Sequence, residues 1–187
     1  MYNYDEYYKG EWVLIKKSAV FWGYFSYKDW EMHLAASPKG LCYVLWSNKP
    51  FKVLEIWVNK YFFQADLIYN QDKLEPYMIQ LEEYLKGRRH TFDIPLDLQG
   101  TCFQISVWKT LLNIPYGTTK TYSQIAREIN NPKAVRAVGK AIGANPVSIV
   151  VPCHRVIGKD GTLTGFAGGI EIKEKLLRIE GISNIKS

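Results

Sequence analysis

The stretch that most constrains this chain is Asn145–Arg155, NPVSIVVPCHR, where an apolar run closes on a proline and delivers a cysteine beside a histidine. Asn145-Pro146 is a turn signal, residues 148–151 have to be buried, and Pro152 breaks any regular element, so Cys153 emerges at a fixed place. Whatever the fold, it must carry a buried segment that ends in a thiol. Two uses fit that requirement. Cys153 is a nucleophile with a base next to it, or it packs as a small hydrophobe, as free cysteines commonly do, with His154 at the surface.

Length and charge narrow the setting. The 187 residues suffice for one sizeable domain or two small ones, and 47% hydrophobic content suits a packed core. The net charge of +6 is unevenly placed: residues 1–100 carry 12 Lys/Arg against 13 Asp/Glu, whereas residues 101–187 carry 12 against 5. A basic surface confined to the second half points to a polyanion partner there, although a surplus of this size also serves solubility alone. Cys42, Cys102 and Cys153 are odd in number, far apart and without CxxC spacing, which argues against a disulfide framework or a zinc knuckle and for a reducing cytoplasm. The start, MYNYDEYYKG, lacks the basic-then-apolar character of a leader, and no run approaches the roughly 18 apolar residues of a membrane span. A soluble, cytoplasmic protein with no membrane partner is expected.

In the first half, aromatic and β-branched residues predict strands over Trp12–Lys16, Val20–Tyr27, Met32–Ala36 and Leu41–Trp46, an antiparallel meander broken at Lys28-Asp29 and at Ser37-Pro38-Lys39-Gly40. Asp72–Lys86 repeats apolar residues three and four apart and reads as an amphipathic helix; Phe51–Tyr61 reads as another, and His90–Leu98 as a last extended segment. The tyrosines at 2, 4, 7 and 8 are expected to pack or cap. His33, Cys42 and His90 match no zinc spacing, so no metal is expected.

The pattern changes at Leu98–Thr101, which divides the chain into a 1–98 scaffold domain and a 99–187 domain. A helix starting at Phe103 closes at Ile114-Pro115-Tyr116-Gly117; Thr121 with Gln124 forms a capping box for a second through Ile129; Asn131-Pro132 starts a third over Lys133–Ala144. The last two make a candidate helix-turn-helix, though a helical hairpin without DNA looks the same. The expected class is α+β: a small α/β domain with an antiparallel sheet, then a mainly helical, winged-helix-like domain. The third helix is lean, with Ala134, Ala137, Gly139, Ala141, Gly143 and Ala144 beside Lys133, Arg136 and Lys140. An ordinary helix is about 10–12 Å across and the minor groove of B-DNA is about 6 Å wide, so a helix nearly bare on one face suits minor-groove entry. Close helix packing selects the same residues.

Downstream of Cys153 the chain reads RVIGKDGTLTGFAGG and IEIKEKLLRIEG, and upstream TYSQIA and NPKAVRAVGKAIGANPV. Over about Phe103 to Gly181 it closely resembles the O6-alkylguanine-DNA alkyltransferases, or methylated-DNA–protein-cysteine methyltransferases; the combination of PCHRV with RAVG and NP is highly specific. The resemblance implies repair of double-stranded DNA containing O6-alkylguanine by one irreversible transfer to Cys153, in a monomer with no cofactor. It implies a relay of Cys153, water, His154 and Glu180, with Asn145 tying the helix-turn-helix to the cysteine loop. Arg136 matches the arginine that replaces the extruded base and Tyr122 the tyrosine that helps rotate it and donates to ring N3. Ala134, Ala137, Gly139, Lys133 and Lys140 complete the DNA-binding face, and Pro152, Val156, Phe166, Ala167 and Gly168 the substrate pocket. Phe166 stands where many relatives have Tyr, which keeps the aromatic wall and drops a hydroxyl.

Two readings of other classes remain beside this one. A lesion-sensing DNA-binding module is countered by Cys153, His154 and Glu180 all being present. A Cys-His thiol hydrolase is countered by the lack of an oxyanion-hole motif and by the lean basic helix, which it leaves unexplained.

Overall fold

The computed structural model describes residues 18–183 and, for the backbone alone, residues 3–8 and 11–15. Strands β1 (Asn3–Tyr8) and β2 (Glu11–Ile15) form an antiparallel hairpin. β2 covers the strand expected from Trp12; Lys16, Tyr2 and the side chains of Tyr4, Tyr7 and Tyr8 lie outside the described residues.

The meander follows as expected: β3 (Ala19–Tyr27), β4 (Trp30–Ser37) and β5 (Gly40–Trp46) pair antiparallel in sequence order. The 37–40 turn closes on the Ser37–Gly40 pair, and Gly40, at φ 144°, lies where a Cβ would meet the Pro95 carbonyl oxygen at 2.3 Å. That approach lets Leu41 N–H donate to Pro95 O (2.9 Å) and Asp97 N–H to Leu41 O (3.0 Å). Among the described residues, the segment expected as extended from His90 to Leu98 thus pairs through a single bridge, Leu41 with Leu96.

Helix α1 (Lys52–Tyr61) leads to β6 (Asp66–Tyr69), an unexpected strand that adds parallel to the far edge of β3 and gives the order β5-β4-β3-β6. Helix α2 (Gln71–Leu85) begins where Asn70 Oδ1 accepts from Lys73 N–H (3.0 Å), and it buries Leu74, Leu81, Tyr84 and Leu85.

The second half is helical. Thr101 and Gln104 cap α3 (Cys102–Leu111) reciprocally, and Thr121 and Gln124 do the same for α4 (Tyr122–Glu128). Strand β7 (Lys120–Thr121) pairs in parallel with β8 (Val156–Ile157), beside the helix-turn-helix of α4 and α5 (Val135–Gly143). Helix α5 starts two residues later than the Asn131-Pro132 signal suggests: Ala134 N–H closes a turn on Asn131 O (3.0 Å), and only then does the helix begin. Helix α6 (Ile170–Ile179) ends the described fold. One buried apolar cluster runs from Met32 and Leu34 through Tyr84 and Trp108 to Val151 and Leu176, so sheet and helices share a core. Among the described residues no helix is long and apolar enough to cross a membrane.

Candidate active site

The Asn145–Val151 segment is a buried loop folded around its own asparagine. Asn145 Oδ1 accepts from Val147 N–H (3.0 Å), and Asn145 Nδ2 donates to Val151 O (2.9 Å). These bonds hold Ile149 at φ 75°, a conformation that costs a β-branched residue about 1–3 kcal/mol. β5 braces the loop from outside, through Val44 N–H to Pro146 O (2.8 Å) and Trp46 Nε1–H to Ser148 Oγ (3.0 Å). After Pro152 the chain turns through a short 3-10 helix, Cys153–Arg155, which places consecutive side chains on different sides.

Cys153 is buried, and burial pushes its thiol pKa up; a hydrogen bond from the Asn145 side chain and the ammonium of Lys173 pull it back. His154 is fully buried, and its pKa lies below the usual histidine value because desolvation outweighs the pull of Glu180. The imidazole is therefore neutral at pH 7. Its tautomer follows from its neighbours. Tyr84 commits its proton to Glu180 Oε1 (2.5 Å), so His154 Nε2, at 2.9 Å from Glu180 Oε1 and 3.1 Å from the Tyr84 oxygen, faces acceptors only and carries the hydrogen. Nδ1 keeps its lone pair and is buried without a protein partner.

Glu180, just past α6, is buried among donors from four other residues, Tyr84, Gly117, His154 and Arg155. Arg155 reaches both of its oxygens from Nε (3.0 Å each) and Oε1 from Nη2 (2.8 Å), and Gly117 N–H reaches Oε2 (3.1 Å). Burial raises the carboxyl pKa, but bonds from His154, Arg155 and Tyr84 outweigh it and hold it at about 2. The group is a fixed anion behind the histidine.

A cavity of about 500 Å3 is lined by Tyr122, Val135, Gly139, Ile142, Thr164, Phe166 and Ala167, among others; Cys153 is not part of its lining but is near enough to act electrostatically on Tyr122. Tyr122 accepts from Thr164 Oγ1 (2.9 Å), which leaves the phenol proton free, and burial raises its pKa. Lys173 lies fully buried below and ties the walls together, donating to Val156 O (2.5 Å) and Thr164 O (2.8 Å); burial depresses its pKa to about 8. Of the expected pocket residues, Phe166 and Ala167 line this cavity. Val156 and Gly168 are buried behind the lining, and Pro152 borders a different cleft with Tyr116 and Arg155, because the 3-10 turn faces it away.

The lean face of α5 points outward. Lys133, Arg136, Ala137, Lys140, Gly143 and Ala144 are exposed, Ala134 and Gly139 half-buried, and Ala141 alone of the small residues is buried. A Cβ on Gly143 would meet nothing, so tight packing does not explain that glycine. Among the described residues no group of three His, Cys, Asp or Glu side chains converges to hold a metal.

Tyr84, Arg155, Lys173 and Trp46 carry the site without having been singled out in the sequence. Lys173 had a signal: with Leu176, Leu177 and Glu180 it falls at i, i+3, i+4 and i+7, a charged residue on the buried stripe of α6. Tyr84 had a weaker one, a phenol on an apolar helix face that needs a partner for its hydroxyl.

Two family models match the chain: the 6-O-methylguanine DNA methyltransferase ribonuclease-like domain over residues 20–98 and the DNA binding domain of the same name over residues 102–182. The inducible methylated-DNA–protein-cysteine methyltransferase of Bacillus subtilis is 51% identical over 164 residues, 88% of this chain and 92% of that protein. The Methanosarcina mazei protein of that name is 47% identical over 79% of this chain and 88% of its own length. Among solved structures, Mycobacterium tuberculosis OGT in complex with DNA superposes with a TM-score of 0.74 at 38% identity, covering 86% of this chain and 92% of that one. With both halves matched and relatives aligned over most of their length, the chain belongs to the methylated-DNA–protein-cysteine methyltransferase family.

Proposed function

We propose that this protein repairs double-stranded DNA by taking the alkyl group of O6-alkylguanine onto Cys153, irreversibly and as a monomer, with residues 1–98 as scaffold and 99–187 binding the DNA. The observation that carries the reading is the state of His154: Nε2–H is held by Glu180 while Nδ1, buried and unpartnered, is left as a base beside a buried thiol.

The thiol proton passes to Nδ1 through one water, and Glu180 stabilises the imidazolium that results. The sulfur attacks the alkyl carbon in line, the carbon–O6 bond breaks, and its electron pair stays on the purine. Tyr122, whose raised pKa keeps its proton in place, donates to ring N3, and the Ala167 backbone N–H donates to O6. Val156 O has a second lone pair beyond the one used by Lys173, available to the exocyclic amine. Arg136 fills the gap left by the extruded base, and the slim face of α5, flanked by Lys133 and Lys140, enters the minor groove, whose pattern leaves sequence largely unread. The thioether product has no hydrolytic exit, and the donor is the DNA itself, so the reaction asks for no cofactor.

Duplex carrying tritium-labelled O6-methylguanine tests this. Label should move to protein and stop at one methyl per chain; continued transfer beyond that ratio would sink the mechanism.

A further inference from the structure

The loop that closes the base cavity is held in place by the other half of the molecule. Gly168 is buried with its backbone against the Trp46 indole: a Cβ there would lie 2.9 Å from the ring and 3.1 Å from Phe166. Trp46 cannot retreat, because its Nε1–H is bound to Ser148 Oγ (3.0 Å) in the cysteine loop, and the indole is 5% exposed. Phe166 meets it edge to face at 5.8 Å, and Asn48 Nδ2, two residues on, donates to Gly168 O (3.2 Å). One side chain therefore touches both the segment that delivers Cys153 and the segment that roofs the cavity. Beyond Phe166 and Ala167 lies a second cavity of about 360 Å3, lined by Trp46, Trp57, Gly143 and Asn145 among others. Phe166 and Ala167 border both spaces, and Trp46 backs the partition between them.

We infer that Trp46 is a positioning residue that sets the size of the O6-substituent this protein accepts, by pressing the Gly165–Gly168 loop toward the cysteine loop and keeping the two cavities apart. The inference rests on alkyl transfer to Cys153 as proposed above. A methyl group fits with the partition in place. A benzyl group needs the room that the indole denies.

The test compares second-order transfer rates from duplexes carrying O6-methylguanine or O6-benzylguanine. W46A is expected to raise the benzyl-to-methyl ratio about tenfold, the scale on which a pocket discriminates small apolar groups. W46F, which keeps a smaller ring against Gly168 and loses the bond to Ser148, is expected to raise the ratio less than W46A does. Should W46A not fold, W46L carries the same test with a smaller rise. Geometry adds a second arm: G168A slows methyl transfer by driving a methyl into the indole, and W46L in the same chain restores it. Both rates falling together in W46A and W46L, with the ratio unchanged, would make Trp46 merely structural and overturn the inference. A wild-type chain that transfers neither group overturns the alkyl-transfer reading itself, and this inference with it.

Discussion

Cys42 and Cys153 are both buried, one in the sheet and one in the loop after α5, and burial raises both thiol pKa values. Cys42 sits at the irregularity where β5 slips against β4 and donates to Ala35 O (3.3 Å). Burial and then the charge of Asp97 push it to about 12. Cys153 meets opposite neighbours: the Asn145 amide and the Lys173 ammonium both favour its thiolate, and a neutral histidine follows it in the chain. What separates an inert thiol from a nucleophile here is the sign of the groups facing the sulfur, since both thiols are buried.

Cys153→Ser should abolish transfer while leaving DNA binding, because a hydroxyl is far less acidic than a thiol and a much weaker nucleophile toward an alkyl carbon. Cys42→Ala should keep the wild-type transfer rate and lower stability by about 1 kcal/mol, the usual scale for a small core truncation. Equal loss of transfer in both variants would show that the two thiols do not differ in reactivity.

Next in size is the anion behind the histidine. Glu180→Gln leaves the Arg155 guanidinium buried without its counter-charge, and urea unfolding should register a loss of about 3–5 kcal/mol together with slower transfer. The same carboxylate predicts the acid limit of stability. Its folded pKa, about 2, lies below the ordinary 4.5, so its contribution is full above pH 4.5 and drains away as pH falls from there toward 2. Unfolding midpoints measured across that window should fall in the wild type and stay flatter in Glu180→Gln. For catalysis, the depressed pKa of His154 predicts a transfer rate whose acid limb has its midpoint below the ordinary histidine value of 6.5.

A smaller effect is expected from the first half of the chain. Tyr84→Phe removes one donor from a charged acceptor and should cost about 1.5–3 kcal/mol of stability, with transfer slowed less than by Glu180→Gln. Transfer unchanged in Tyr84→Phe would confine the relay to the second half.

Local pattern made the meander and the capping box of α4 legible, since alternation and a T-x-x-Q spacing are written in consecutive residues. β6 was not legible, because Asp66–Tyr69 is short, lacks alternation and finds its partner, β3, across α1 and two strands. Asn131-Pro132 misled by two residues, a turn having formed where a cap is equally at home. In the site, Cys153 and His154 announce themselves by adjacency and context. Tyr84 lies 70 residues from His154 and Trp46 lies 102 from Ser148, so only the folded chain brings either to the chemistry. The lean α5 admitted two explanations until the exposure of Ala137, Gly143 and Ala144 favoured the outward one.

Transfer to Cys153 alone is tested by intact-mass and peptide mapping of the wild-type chain after mixing with excess duplex containing one O6-methylguanine. A single added methyl is expected, on the peptide carrying Cys153, with the peptides of Cys42 and of the exposed Cys102 unmodified. Methyl groups shared among the cysteines, or no mass change alongside tight lesion-selective binding, would contradict it.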